Sequence, residues 1–235
     1  MKWKELFFII LLMAVKPVWA QTETLILNTA FDGPVRTVFE SLMKEVFSRN
    51  GLKVSVQFLP AERAIQQANS GMNDGDGPRV AGLETQYTDL IQVPEKFLDM
   101  EFVGFSKNAA IRTDRWESLK PYRIGFIRGW KILEANIVGT QSLDIAGNTE
   151  NLFNLLKKDR IDIAVIGKAE GLNHIMEQRI KDIRVLSPPL AKKEMFLYLH
   201  KKHENLVPKI AASLKDMKRE GKYSQIADPV PGNQE

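Results

Sequence analysis

The 235-residue chain has no cysteine. That single absence excludes a disulfide scaffold, thiolate metal ligation, a thiol nucleophile and dithiol redox chemistry together. Histidine is scarce too: His174, His200 and His203 are the three in the chain, and none has a set of metal partners at useful spacing. Zinc needs at least three protein ligands, so the His200-x-x-His203 pair reads as a surface feature. No GxSxG sequence occurs, and the serines near histidines form no nucleophile and base arrangement. Glu84, Glu150 and Glu170 are paired by no motif, so they read as solvated or capping carboxylates. The sequence gives no positive case for an enzyme, and neither a metal nor a cofactor is expected.

Charge of one sign is not in large excess. The formal net charge is +4, and residues 1–20 carry Lys2, Lys4 and Lys16 against Glu5, so the remainder keeps only +2. Nucleic-acid binding normally needs a concentrated basic face, and no nucleic-acid partner is expected. The groups Lys157, Lys158, Arg160 and Lys192, Lys193 are short and interleaved with acids, as solvated faces are. Long apolar runs are missing except for residues 6–15, which follow Lys2 and Lys4 and precede Pro17, Val18, Trp19 and Ala20. This is the pattern of a secretory leader over residues 1–20, cut before Gln21, which leaves about 215 residues outside the cytoplasm, periplasmic in a bacterium. The run is too short to span a bilayer comfortably, and no other run approaches ~18 apolar residues. What is present is ordinary globular composition, 44% hydrophobic and 26% charged, in a length that suits one domain or two small lobes.

The pattern of elements is α/β. LILNTAF (25–31) reads as a buried strand ended by Asp32-Gly33-Pro34. Pro34 suits a first helical position, and Val35, Val38, Phe39, Leu42, Val46 and Phe47 recur at helical spacing until Asn50-Gly51. Val54, Val56 and Phe58 alternate as a second strand, and Pro60 opens a helix over 61–69 closed by Gly71. A second unit begins with the strand RIGFI (123–127) and a helix from Lys131. Thr149 is placed to cap a helix carrying Leu152, Leu155 and Leu156, and 161–166 reads as a buried strand ending at Gly167. Shorter strands are expected at 183–186 and 195–199, and a last helix over 207–220. Two successive βα units point to two lobes, with a ligand at the carboxyl ends of the parallel strands.

Those ends hold the candidate binding residues: Phe31, Asp32, Asp76, Arg79, Tyr87, Arg128, Trp130 and Glu170. In GMNDGDGPR (71–79) the glycines allow a tight turn, and Arg79 offers a planar fork for a carboxylate; equally, it pairs with Asp74 or Asp76 and holds the turn. The Asp and Gly alternation lacks the twelfth-position Glu of a calcium loop. Arg128-Gly129-Trp130 sits where a strand meets a helix, so amides, a guanidinium and a large ring can converge on an anionic, partly apolar ligand, unless Trp130 packs in the core and Arg128 lies in solvent.

The order of segments resembles the type II periplasmic solute-binding proteins, specifically the family 3 group associated with polar amino acids and other small solutes. The likeness covers nearly the whole chain after the leader. It is carried by ERAIQQANSGMND (62–74) and its second-lobe counterpart NLFNLLKKDRID (151–162), then by SPPLAKKEMFLYLHK (187–201) and the closing stretch from LVPK (206–209) to KYSQI (222–226). The resemblance implies lobe 1 from residues 21–107 with 189–235, lobe 2 from 108–188, and two crossover strands near 102–112 and 184–193. It also implies a monomer that closes like a hinge on a small-molecule ligand and presents it to a membrane permease. A signalling receptor is the alternative partner, and a dehydratase acting on small cyclic acids through Glu84 or Glu170 a more remote one.

Three departures from the family pattern bear on the ligand. The family's carboxylate-binding arginine lies in a Thr-Pro-x-Arg-like segment, where this chain reads GLETQYT (82–88), leaving Arg79 as the substitute and Tyr87 as a neighbour. An aspartate for the ammonium group is replaced by Gly167, with Glu170 the nearest acid. The family's Gly-Thr pair becomes Gly129-Trp130. Together they point away from ordinary amino acids, toward a carboxylate-bearing or aromatic solute.

Overall fold

The computed structural model describes residues 24–227, so the expected leader lies outside the described residues. In chain order the strands and helices are β1 (Thr24–Thr29), α1 (Gly33–Ser48), β2 (Lys53–Phe58), α2 (Ala61–Asn69), β3 (Gly75–Val80), β4 (Leu90–Gln92) and β5 (Leu98–Ser106). They continue as β6 (Arg123–Ile127), α3 (Lys131–Asn136), β7 (Ser142–Ala146), α4 (Thr149–Lys157), β8 (Ile163–Gly167), α5 (Lys168–Glu177), β9 (Arg184–Val185), β10 (Ala191–His200), α6 (Val207–Arg219) and α7 (Lys222–Ala227).

Sequence chemistry sets the helix ends. The Asp32 carboxylate accepts from the Gly33 amide and Pro34 fills the first turn of α1, where a missing N–H does no harm. Thr149 is not the cap of α4: Asn148 is, its side chain accepting from the Asn151 amide, and Thr149 is the first helical residue. On α1, Val35, Val38, Phe39, Leu42, Val46 and Phe47 are all buried, the helical stripe read from their spacing.

The strand order is β2-β1-β3-β10-β5-β8-β6-β7, with β4 on β10 and β9 on β5. β1 pairs in parallel with β2 and β3, and β6 in parallel with β7 and β8. These two parallel units are joined by antiparallel pairing of β10 with β3 and β5, and of β5 with β8. The result is the expected mixed α/β architecture with two crossover strands, although antiparallel pairings are as prominent as parallel ones, because β10 and β5 each run against their neighbours. The crossing pair runs from Leu98 opposite Met195 to Phe102 opposite Ala191, so both crossovers are displaced from the segments named above, the first toward the amino terminus and the second toward the carboxyl terminus.

The Gly-rich segment is the main departure in the fold. Residues 75–80 are not a turn but β3, an inner strand with β1 on one side and β10 on the other. Its glycines serve close packing: a Cβ on Gly75 would lie 2.4 Å from the Tyr198 carbonyl oxygen and 2.9 Å from Leu27 Cδ2. Placing β3 inside the sheet buries Asp76 and Arg79, which sets up the site described next.

Gly75→Ala should therefore destabilise the protein by about 1–3 kcal/mol, the usual penalty for overpacking a core. Urea unfolding followed by circular dichroism measures it. An unchanged midpoint would contradict the close approach of β10 to β3.

Candidate functional site

The parallel strands β1, β2, β3, β6, β7 and β8 direct their carboxyl ends toward one cleft between the two halves of the sheet. At its centre the halves touch through rings. Phe31, just after β1, lies 5.4 Å from Trp130, just after β6, and Phe102 on β5 meets Trp130 edge-on at 6.0 Å. All three are buried. Beside them Gly129 adopts φ +85°, and a Cβ there would come within 2.4 Å of the Glu62 backbone nitrogen. Only glycine lets this loop lie against the first turn of α2.

Two ion pairs reinforce the contact. The Arg79 Nε donates to Asp76 Oδ2 at 2.6 Å, its Nη2 to the Ala61 carbonyl at 2.8 Å and its Nη1 to the Gly129 carbonyl at 3.4 Å. One guanidinium thus joins β3, the start of α2 and the loop after β6. Burial raises the Asp76 carboxyl above its ordinary value although Arg79 opposes the shift, and Asp76 Oδ1 has no partner. Lys131 at the start of α3 donates to Glu62 on α2 at 2.6 Å and to Glu134 at 2.9 Å. Burial disfavours its charge, yet the two carboxylates prevail and hold the ammonium above the usual lysine range. Tyr87 is buried nearby, 6.0 Å from Lys131 Nζ to its ring centroid, and burial raises its phenol. Between Arg79, Phe31, Phe102, Trp130 and Met195 a cavity of only about 30 Å³ is left, room for a water molecule or so.

On the other side of Trp130 lies a larger compartment of about 400 Å³, lined by the segments that follow β1, β2, β6, β7 and β8. Its acidic lining is Asp32, Glu150, Glu170 and Glu177, and no lysine or arginine lines it. Asn148, Asn173 and His174 add neutral polar groups, and Phe58 and Trp130 a ring-bearing wall. Glu170 Oε2 and His174 Nε2 are both buried and without a protein partner. Burial, and then the charge of Asp32, push the Glu170 carboxyl well above its ordinary value. Burial pulls the His174 imidazole down, favouring its neutral form, with its ring 4.6 Å from that of Phe153.

The candidate residues thus divide. Phe31, Asp76, Arg79, Tyr87 and Trp130 gather at the closed centre, whereas Asp32 and Glu170 face the acidic compartment. Arg128 is exposed and lines neither space. Of the two alternatives for Arg79, pairing with Asp76 is the one observed; Asp74 instead accepts from the Ile26 amide, Lys202 and His203. Sequence reasoning missed Glu62, Phe58, Phe102, Lys131 and His174. His174 had an available signal, since it follows Glu170 by one helical turn just after a strand; Glu62 and Lys131, 69 residues apart, had none. Among the described residues no group of three or more His, Asp or Glu is placed to hold a metal ion.

No protein-family model matches the chain. An uncharacterized protein of Shewanella oneidensis is 28% identical over 197 residues, covering 79% of this chain and 73% of that protein. Among solved structures, a histidine kinase sensor domain with similarity to periplasmic binding proteins superposes with a TM-score of 0.78 at 16% identity, over 89% of this chain and 96% of that one. The substrate-binding protein of an amino acid ABC transporter gives 0.74 at 15% identity, over 88% and 99%. The chain has the type II periplasmic-binding-protein fold, and among its described residues no helix is long and apolar enough to cross a membrane.

Two predictions come from these contacts. Glu170 holds its proton more tightly folded than unfolded, so it contributes stability below its ordinary value of 4.5 and loses it as pH rises through its raised folded value. His174 has the opposite sign, losing stability as pH falls below its ordinary 6.5. Glu170→Gln should therefore melt at higher temperature than the unmodified protein at pH 8, with the gap closing toward pH 4.5; equal melting at both pH values would contradict burial of that carboxyl. Lys131→Met should weaken the contact between the two halves by roughly 1 kcal/mol, about fivefold in any equilibrium that separates them, as expected for a partly exposed pair. A larger radius of gyration in X-ray scattering would register it, and an unchanged profile would show that Lys131 does not hold the halves together.

Proposed function

We propose that the chain is a periplasmic solute-binding protein that captures a small molecule between its lobes by hinge closure and presents it to a membrane permease. The observation that carries this reading is the 400 Å³ compartment at the carboxyl ends of strands from both halves, within the size range of small-ligand sites. The secretory pattern of residues 1–20 and the fold support it. On this reading the first lobe comprises 21–107 and 189–235 and the second 108–188, the molecule is a monomer, and closure is a population shift driven by contacts available only in the closed form. The protein performs no covalent chemistry. Of the two ligand chemistries expected from the sequence, the aromatic one has rings at hand in Phe58 and Trp130, whereas the carboxylate one relies on Arg79, whose donors are already engaged, and on exposed Arg128.

A sensing role is the second reading, favoured by the likeness to a histidine kinase sensor domain. The same closed lobe pair then docks on a signalling receptor instead of a permease, because linkage couples either partner to the same hinge.

A thermal-shift screen of residues 21–235 against amino acids, carboxylates, aromatic acids and amines tests the binding role. A ligand at a hundredfold excess over its Kd stabilises by about 2.7 kcal/mol, which raises the melting temperature by roughly 5–10 °C in a chain of this size. A flat response across all classes would count against solute capture.

A further inference from the structure

We propose that the acidic compartment recognises an organic cation that carries no carboxylate, an alkylamine or guanidine whose charged head sits between Glu170 and Asp32. This rests on the solute-binding reading and names the class of solute.

The charge inventory argues first. Four acidic side chains and no lysine or arginine line the compartment, so an anion entering it finds no compensating charge. Acidic lining alone does not make a site, but two buried groups here lack partners. His174 is only 9% exposed, and its Nε2 faces no protein donor or acceptor. Glu170 Oε2 is likewise sealed from solvent and unbonded. Buried polar atoms are rarely left this way unless something else completes them. An ammonium or guanidinium supplies several N–H donors in a small volume, and carboxylate oxygens and the free nitrogen of a neutral imidazole accept them.

The cationic groups at the closed centre are committed elsewhere. Arg79 is turned to Asp76 and two backbone carbonyls, and Lys131 to Glu62 and Glu134. Four helix starts border the compartment: those of α1 and α4 are capped by Asp32 on the Gly33 amide and Asn148 on the Asn151 amide, and those of α2 and α5 have no side-chain cap but carry an acid in the first turn, Glu62 and Glu170. At α1 and α4 the anion-binding capacity of a helix start is thereby used internally, and at α2 and α5 a first-turn carboxyl group disfavours an added anion. The Trp130 and Phe58 walls suit the methylene stem of an amine or the face of a guanidinium.

A cation also answers the surroundings of Glu170. Its neighbours are Asp32 from the loop before α1, Glu150 from α4, and His174 and Glu177 on its own helix. The nearby cations stay outside the lining: Lys157 acts on His174 from a distance, Lys168 pairs with Glu101, and Arg36 lies over Phe58. With no cation in the lining to oppose them, burial and the charge of Asp32 hold the Glu170 carboxyl well above its ordinary value. An arriving ammonium favours the ionised carboxylate, so the proton that Glu170 holds below its raised value passes to solvent on binding, and binding strengthens as pH rises through that titration.

Isothermal titration calorimetry of residues 21–235 at pH 8 tests this with 1,4-diaminobutane, agmatine, L-arginine, L-glutamate and benzoate. The expected result is binding of 1,4-diaminobutane or agmatine, proton release seen by comparing two buffers of different ionisation enthalpy, weaker binding at pH 5, and affinity about tenfold or more lower in Glu170→Gln. Because that variant should melt higher than the unmodified protein, lost affinity cannot be ascribed to unfolding. Equal amine affinity in Glu170→Gln would overturn the site. Arginine binding more tightly than agmatine, or glutamate or benzoate binding while the amines do not, would overturn the ligand class and leave solute binding standing. No heat with any compound would overturn both readings.

Discussion

The ion pair between Arg79 and Asp76 is the constraint around which the cleft is organised. It sits on an inner strand, where both side chains are almost completely buried. Charges taken out of water on this scale are tolerated only if each is met by close partners. Asp76 meets one side of the guanidinium, and the carbonyls of Ala61 and Gly129 accept from the rest. Because those carbonyls belong to opposite halves of the sheet, the requirement to satisfy one buried arginine also fixes how the halves meet. The Phe31–Trp130 contact and the Lys131–Glu62 pair add to a geometry that Arg79 already demands.

One consequence is a division of the cleft. The central part is filled by rings and ion pairs and leaves space for little more than water. The polar part lies on the far side of Trp130 and carries uncompensated acid. Trp130 is the wall between them, packed by Phe31 and Phe102 on one face and bordering the compartment on the other. A protein that closes on a ligand needs contacts that exist only when the ligand is present, and unpartnered Glu170 and His174 are groups of that kind. Both are carried by the helix after β8, with buried polar atoms that no protein group completes.

Much of the fold was legible in the residues. The helix over 61–69 and the strand over 123–127 have the bounds read from Pro60, Gly71 and the run RIGFI, because a proline, a glycine and an apolar run are local signals. β3 was not legible. GDGPRV has no alternation of apolar and polar residues, and what makes it a strand is the close fit of its glycines under β10, a partner more than a hundred residues away. The site divided along the same line. Candidates chosen for lying just past strand ends did reach the cleft in the case of Phe31, Asp32, Trp130 and Glu170, since strand ends are set by local pattern. Which of them face each other depends on register and lobe contact, so three dimensions were needed to choose Asp76 over a ligand for Arg79 and solvent over the cleft for Arg128, both open alternatives in the sequence, and to reveal the Glu62–Lys131 bridge.

The absence of cysteine allows the central claim, a hinge that closes on a solute, to be tested directly. Cysteines placed at Lys44 on α1 and Lys158 at the end of α4, both exposed and on opposite halves, accept spin labels at those positions alone. Pulsed electron paramagnetic resonance then reads the distance between the halves as 1,4-diaminobutane is added. The account predicts a mixture of longer and shorter distances without ligand that collapses onto the shorter one at saturation. A single distance, unchanged by ligand and by Lys131→Met alike, would contradict it.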